Sequence, residues 1–162
     1  MITHPSALGH ANENRVDRCH RPGVRVGLRP YGADMDPARA ITLGSVNVEA
    51  DDPRALADFW AHLLGSEVAG DHDGHVFVAA REPGGFAMFF QPRNGPRPEH
   101  QGQHLDLTVP WGSRQAEVAR AVQLGARHEW DVLDEVPWVQ WSTLADPEGN
   151  LFCLAEHPPA AG

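Results

Sequence analysis

The amino-acid sequence predicts an α+β fold built from two tandem βαβββ modules. Three observations carry that reading. A strand-like stretch, a helix-like stretch and a glycine stop occur twice, at 45–65 and again at 104–125. Each occurrence is followed by strand-like runs broken by a matching turn, "REPGG" in the first half and "ADPEGN" in the second. Between the halves lies "PRNGPRPEHQGQ", whose prolines and glycines mark a linker.

The elements follow in order. In "SVNVEADDPRALADFWAHLLG", Val46, Val48 and Ala50 share one face of a strand, and Ser45, Asn47 and Glu49 share the other. Asp51 or Asp52 caps a helix with Pro53 in its first turn. Leu56, Phe59 and Leu63 fall at helical spacing, and Gly65 ends the helix. The strands "HVFVAA" and "FAMFFQ" come next. "DHDGH" (71–75) reads as a hairpin turn around Asp73-Gly74 in preference to a metal cluster, because the repeat needs a hairpin there. In the second half, Leu105, Leu107 and Val109 form the apolar face of a strand, and His104, Asp106 and Thr108 the polar face. Ser113 is the expected cap of the next helix, Val118, Val122 and neighbouring alanines its apolar stripe, and Gly125 its stop. The strands "WVQWSTL" and "LFCLAE" close the module. Pro83 and Gly85 correspond to Pro147 and Gly149. His62 reads as a helix-surface residue and His100 as part of the linker.

Composition narrows the chemistry. The net charge of −9 over 162 residues opposes binding to nucleic acid by phosphate neutralisation. No apolar run is long enough to span a membrane, and the first residues lack the apolar stretch of a signal peptide. Two cysteines, Cys19 and Cys153, make no disulfide framework, so a cytoplasmic protein is expected. All 13 basic residues are arginine. Without lysine, Schiff-base chemistry and a P-loop are excluded. The one tyrosine, Tyr31, lies outside the modules. Residues 1–40, with Arg15, Arg18, Arg21, Arg25 and Arg29 and no apolar periodicity, are expected to form a disordered tail, with Met35 an alternative start.

The phrases "DPRALADFWAHLLG", "HLDLTV", "LGAR" and "LADPEGNLFCL" stand in order and at the right spacing. Together they resemble the vicinal oxygen chelate superfamily of glyoxalase I, bleomycin-resistance proteins and extradiol dioxygenases, and within it the glyoxalase-like subfamily. The resemblance covers about residues 41–157: module one 41–92, linker 93–102 and module two 103–157. It implies that each module curls a mixed sheet into half a cup, and that paired halves enclose a site.

The resemblance also implies four inward metal positions, on the first and last strands of each module. Here they fall on Ser45, Phe89 (with Gln91 on the same face), His104 and Cys153. Only His104 is a usual ligand among these, and Glu49 or Asp106 can supplement it. The expectation is therefore no cofactor, with a divalent metal at His104 as the alternative. A lone cysteine is most often a small buried apolar residue.

His104 and Asp106 are the expected catalytic pair, with His104 as general acid or base. Contact with a ligand without proton transfer, or a purely structural role, remain open for them. Residues i and i+2 on a strand lie roughly 6–7 Å apart, so a direct contact requires the side chains to lean. Ser45, Asn47, Glu49, Phe89, Gln91, Thr108, Trp141 and Cys153 are expected to line the ligand site. Trp138 and Trp141 face opposite ways, so one of them walls the cup. Three functions follow. The first is a lyase or isomerase acting on a small organic molecule without an obligatory metal. The second is a protein that sequesters a drug or natural product. The third, metal-dependent glyoxalase or dioxygenase activity, is weakened by Ser45 and Cys153. The expected partners are a small organic molecule and a second copy of the chain, as a homodimer.

Overall fold

A computed structural model describes residues 43–159. The tail 1–40, with Cys19, Tyr31 and Met35, lies outside the described residues. Module one runs β1 (Ser45–Ala50), α1 (Pro53–Leu64), β2 (Val68–His72), β3 (His75–Val78) and β4 (Ala87–Pro92). Module two runs β5 (Leu105–Thr108), α2 (Arg114–Leu124), β6 (Arg127–Val132), β7 (Gln140–Ala145) and β8 (Leu151–Glu156). The sheets have the orders β1-β4-β3-β2 and β5-β8-β7-β6. In each, the last strand lies parallel to the first and antiparallel to the third. The fold is α+β, with two mixed sheets that leave an open cup rather than a closed barrel.

Local chemistry explains the boundaries. Asp52 caps α1, accepting from the Ala55 N–H at 3.0 Å, and Gly65 ends it in the left-handed region at φ 64°. Asp73 (φ 50°) and Gly74 (φ 77°) make the two-residue turn between His72 and His75. The cap of α2 differs from the expected one. Ser113 stands at the N-cap position, but its hydroxyl donates to the Pro110 carbonyl. The Glu156 carboxylate, from the end of β8, instead accepts from the N–H groups of Gly112 (2.7 Å) and Arg114 (3.2 Å). The stripe of α2 also differs: Ala121 is buried and Val118 and Leu124 pack on the core, while Val122 is 45% exposed.

One apolar core spans both modules. Phe59 and Trp60 of α1 pack against Phe152 of β8, with ring centroids 6.3 and 5.1 Å away. Val76, Val78, Met88 and Phe90 complete it below α1. The Trp60 indole N–H donates to Asp146 at 3.1 Å, so even the polar edge of this tryptophan is satisfied across the module boundary.

The "DPEGN" turn works as a clamp between modules. Asp146 Oδ1 accepts from the backbone N–H groups of Glu148 (3.0 Å) and Asn150 (2.8 Å), which shapes the turn. The turn then presents Glu148 to the start of α1. There its carboxylate accepts from the N–H groups of Asp51 (2.9 Å) and Asp52 (2.8 Å) and pairs with Arg93 at 3.1 Å. Arg97 adds bonds to the Glu148 carbonyl and the Asn150 side chain. Removing a charged acceptor that serves several donors costs about 2–4 kcal/mol. Glu148→Ala should lose that much stability in urea unfolding. A loss within about 0.5 kcal/mol, the range of neutral surface changes, would show that the clamp is idle.

A second buried polar group sits between α2 and its sheet. The Arg114 guanidinium, 6% exposed, lies 3.1 Å from Asp131 and 3.4 Å from Glu156. The hydrogen bond from Ser142 holds the Asp131 carboxyl below the usual aspartate range, helped by His128 and by the charge of Arg114 and opposed by burial. A depressed carboxyl stabilises the fold above its unfolded pKa, and that contribution is lost as pH falls through its lower folded value. Acid titration of stability should therefore show a loss beginning at the ordinary aspartate range and continuing below it. Asp131→Asn should flatten that limb; an unchanged limb would assign the acid sensitivity to other carboxylates.

Candidate functional site

The second sheet carries a cavity on the face turned away from the helices. Alternation builds it. Leu105 and Leu107 pack towards the core, so Asp106 and Thr108 face the opposite way, with His104 just before the strand. Register then sets two rows across the sheet. Asp106 lies opposite Cys153, Cys153 opposite Thr143, and Thr143 opposite Trp130. Thr108 lies opposite Ala155, and Ala155 opposite Trp141. Val139 and His157 complete the wall, and the cavity measures about 540 Å³. That size, with two tryptophans and a few polar groups, suits a small organic molecule.

His104 Nε2 lies 3.2 Å from Asp106 Oδ1, so the two side chains do lean together across the i, i+2 gap. The contact is an ion pair whenever the imidazole is protonated. The Cys153 thiol sits beside them, buried at the floor. Burial pushes it up, a hydrogen bond with Thr143 at 3.5 Å opposes this, and the negative charge of Asp106 pushes it further up. Cys153 thus stays a thiol near neutrality and is no activated nucleophile. His157 Nδ1 is 3.1 Å from the Trp138 carbonyl oxygen, so Nδ1 donates, and Nε2 has no hydrogen-bond partner among the described residues.

Of the residues singled out in the sequence, His104, Asp106, Thr108, Trp141 and Cys153 line this cavity. The module-one residues do not. Ser45, Asn47 and Glu49 are exposed along β1; Asn47 donates to Gln91 at 3.4 Å, and Phe89 stacks on His75 at 5.8 Å. Asn47 and Glu49 border a second cleft of about 760 Å³ between β1 and the linker, floored by Val46, Val48, Trp60 and Met88. Trp138 is largely exposed. Thr143, Trp130 and His157 were missed. His157 stands two and four residues beyond Ala155 and Cys153, so strand parity could have found it.

The resemblance implies a metal, and the donor set bears on it. Ser45 and Phe89 contribute nothing beside His104. His104, Asp106 and Cys153 do converge, with one ligand atom from each within 4.8 Å of the others. An imidazole, a carboxylate and a thiol are the ligand types of a zinc-like site.

Two four-stranded βαβββ modules, one holding a cavity of this kind, define the class of open-cup α+β folds. The chain belongs to the glyoxalase-like domain family, whose model matches residues 45–155, within the vicinal oxygen chelate superfamily. No curated protein sequence matches it. Solved structures share the fold at low identity. A glyoxalase/bleomycin resistance protein/dioxygenase family enzyme from Burkholderia phytofirmans is 16% identical, covering 73% of this chain and 100% of its own, with a TM-score of 0.59. The fosfomycin resistance protein FosX from Listeria monocytogenes is 13% identical, covering 73% and 94%, at 0.61. The oxidase ChaP-H2 is 21% identical, covering 76% and 98%, at 0.57.

Proposed function

We propose that the module-two cup binds a small organic molecule and moves a proton on it, as a lyase or isomerase without an obligatory metal. The observation that supports this most is the His104–Asp106 pair, 3.2 Å apart, at the wall of a 540 Å³ cavity. Trp130 and Trp141 offer flat apolar walls to hold a planar or apolar ligand. His104 Nδ1 takes the proton from the substrate, leaving the bonding electrons there, and Asp106 stabilises the resulting imidazolium. Return of that proton to another atom gives isomerisation, and departure of a β-substituent gives elimination. The cup is open, so the substrate must carry enough apolar surface to expel water from Trp141 and Val139.

The test is a thermal-shift screen of small carbonyl compounds with acidic C–H bonds, followed by proton NMR of the hits in D₂O. Protein-dependent exchange of a ligand C–H supports an enzyme. Binding with no exchange and no chemical change favours sequestration, the reading that bleomycin-resistance relatives suggest. The fosfomycin-resistance and dioxygenase labels of the structural neighbours leave both open for this chain.

The same reading includes a cytoplasmic homodimer. A free, buried Cys153 suits a reducing compartment. Among the described residues, β1 and β5 end their sheets without a strand partner on one side and module two alone lines the cavity, so a second copy has edges and an open cup to cover. Light scattering at micromolar concentration should give about twice the 17.7 kDa chain mass. A monomer mass would remove the dimer and leave the cup reading in place.

A further inference from the structure

We propose that the module-two cup selects an aromatic amine: a flat ring held by Trp130 and Trp141, with a protonated amino group on a short arm paired to Asp106. The proposal rests on the reading of the cup as a small-molecule site, and it is independent of proton transfer by His104. It gives that site a charge class, organic cations against organic anions, and assigns which end of the ligand meets which wall.

Charge supports it first. The chain has no lysine, and among the described residues no arginine lines the cavity. A carboxylate or phosphonate ligand therefore meets no guanidinium or ammonium there, the groups that ordinarily recognise such anions. Asp106 is the one carboxylate in the wall. Its side chain is 71% exposed, so it stays open to a ligand while it faces His104. The loop that brings Val139 to the wall carries exposed Asp134 and Glu135 and no basic residue.

Register supplies the aromatic end. Trp130 lies opposite Thr143 and Trp141 opposite Val132, so the two indoles are diagonal neighbours on adjacent strands, and both belong to the cavity wall. Diagonal partners on one face stand about 7–8 Å apart at the backbone, within reach of aromatic side chains. The negative faces of indole rings also favour a ligand that carries positive charge over one that carries negative charge. The carboxylate stands across the cup. Asp106, Cys153, Thr143 and Trp130 form one row, in which three strand spacings separate the acid from the indole, about 14 Å at the backbone. Side chains reach inward from both ends of that row, and the span between them suits one ring system with a short amine arm. Its floor is the Cys153 thiol and the Thr143 hydroxyl, 3.5 Å apart, which offer the ligand no competing charge.

The test is equilibrium dialysis of the full chain with three probes of one shape: naphthylethylamine, naphthylacetamide and naphthylacetate. Their arms are cationic, neutral and anionic. The buffer is held at about pH 8, above the ordinary histidine range, and at about 0.15 M salt, which screens the overall charge of the chain beyond about 8 Å. The amine is expected to bind about tenfold tighter than the acetate, with the amide between. Asp106→Asn should bring amine and acetate to within about threefold. Glu67→Gln, which removes an exposed acid from module one, should leave the preference intact. Trp130→Ala and Trp141→Ala should each weaken all three probes about three- to tenfold, with circular dichroism unchanged. Acetate that binds as tightly as the amine, or a preference that survives Asp106→Asn, overturns the proposal and leaves the cup in place as a small-molecule site. An amine that does not bind, or that binds equally well in both tryptophan variants, overturns it as well. Dialysis involves no turnover, so the D₂O exchange assay reads the proton-transfer proposal separately and either can fail alone.

Discussion

Replacing Glu156 by alanine is expected to lower the unfolding free energy by about 1.5–3 kcal/mol, the cost of taking a charged acceptor from buried donors. Glu156 and Arg114 are both nearly inaccessible, and the Glu156 carboxylate serves more than the guanidinium. It also takes the N–H groups of Gly112 and Arg114, which Ser113 leaves unmet because its hydroxyl is turned to Pro110. Alanine therefore strips the start of α2 of its acceptor and leaves Arg114 to Asp131 and Ser142 alone. Glu156→Gln keeps an acceptor oxygen and loses the charge, so it should fall between the parent and Glu156→Ala. Urea unfolding of the three proteins measures this directly. A loss below about 1 kcal/mol for alanine would mean that water or Ser113 takes over the cap.

That residue illustrates where the sequence is legible. The βαβββ repeat was readable because its signals are local. Alternation at 105–109, the Asp52 cap, the Asp73-Gly74 turn and the glycine stops each act within a few residues. The roles of Glu156 and Glu148 were not readable. Each reaches donors far away in sequence, Glu148 to the start of α1 and Glu156 to the start of α2. No periodicity marks an acid that caps a helix of another segment. The "DPEGN" turn was visible as a turn, but its use as a clamp depends on tertiary placement. Val122 was read as core from its spacing, whereas Arg114 takes the buried place on that helix.

The site was legible in the same local measure. Strand parity brings His104, Asp106 and Thr108 to one face, and the register of β8 adds Cys153. Parity cannot say which faces meet. Repeat symmetry puts Ser45, Asn47, Glu49, Phe89 and Gln91 at matching positions of the first sheet, but the described chain does not turn that sheet onto the cavity of the second. The lean that brings His104 to Asp106 is a side-chain event that backbone spacing leaves undetermined.

His104→Ala is the change expected to matter most to chemistry. If His104 Nδ1 moves the proton, its removal should slow C–H exchange of a bound ligand by roughly 10²–10⁴-fold. Binding should weaken much less, by about 0.5–1.5 kcal/mol for one neutral hydrogen bond or about 1.5–3 if the ligand is charged. The fold should persist, because His104 is half exposed and its ion-pair neighbour, Asp106, is more exposed still and returns to water. Asp106→Asn separates the roles within the pair. It keeps a polar partner for Nε2 and removes the charge that stabilises the imidazolium, so exchange should fall while affinity for a neutral ligand holds. His157 is the other imidazole lining the cup, and its Nε2, without a partner among the described residues, makes it the competing base. If His157→Ala abolishes exchange and His104→Ala spares it, the proton passes through His157. In that case the His104–Asp106 pair serves as polar lining.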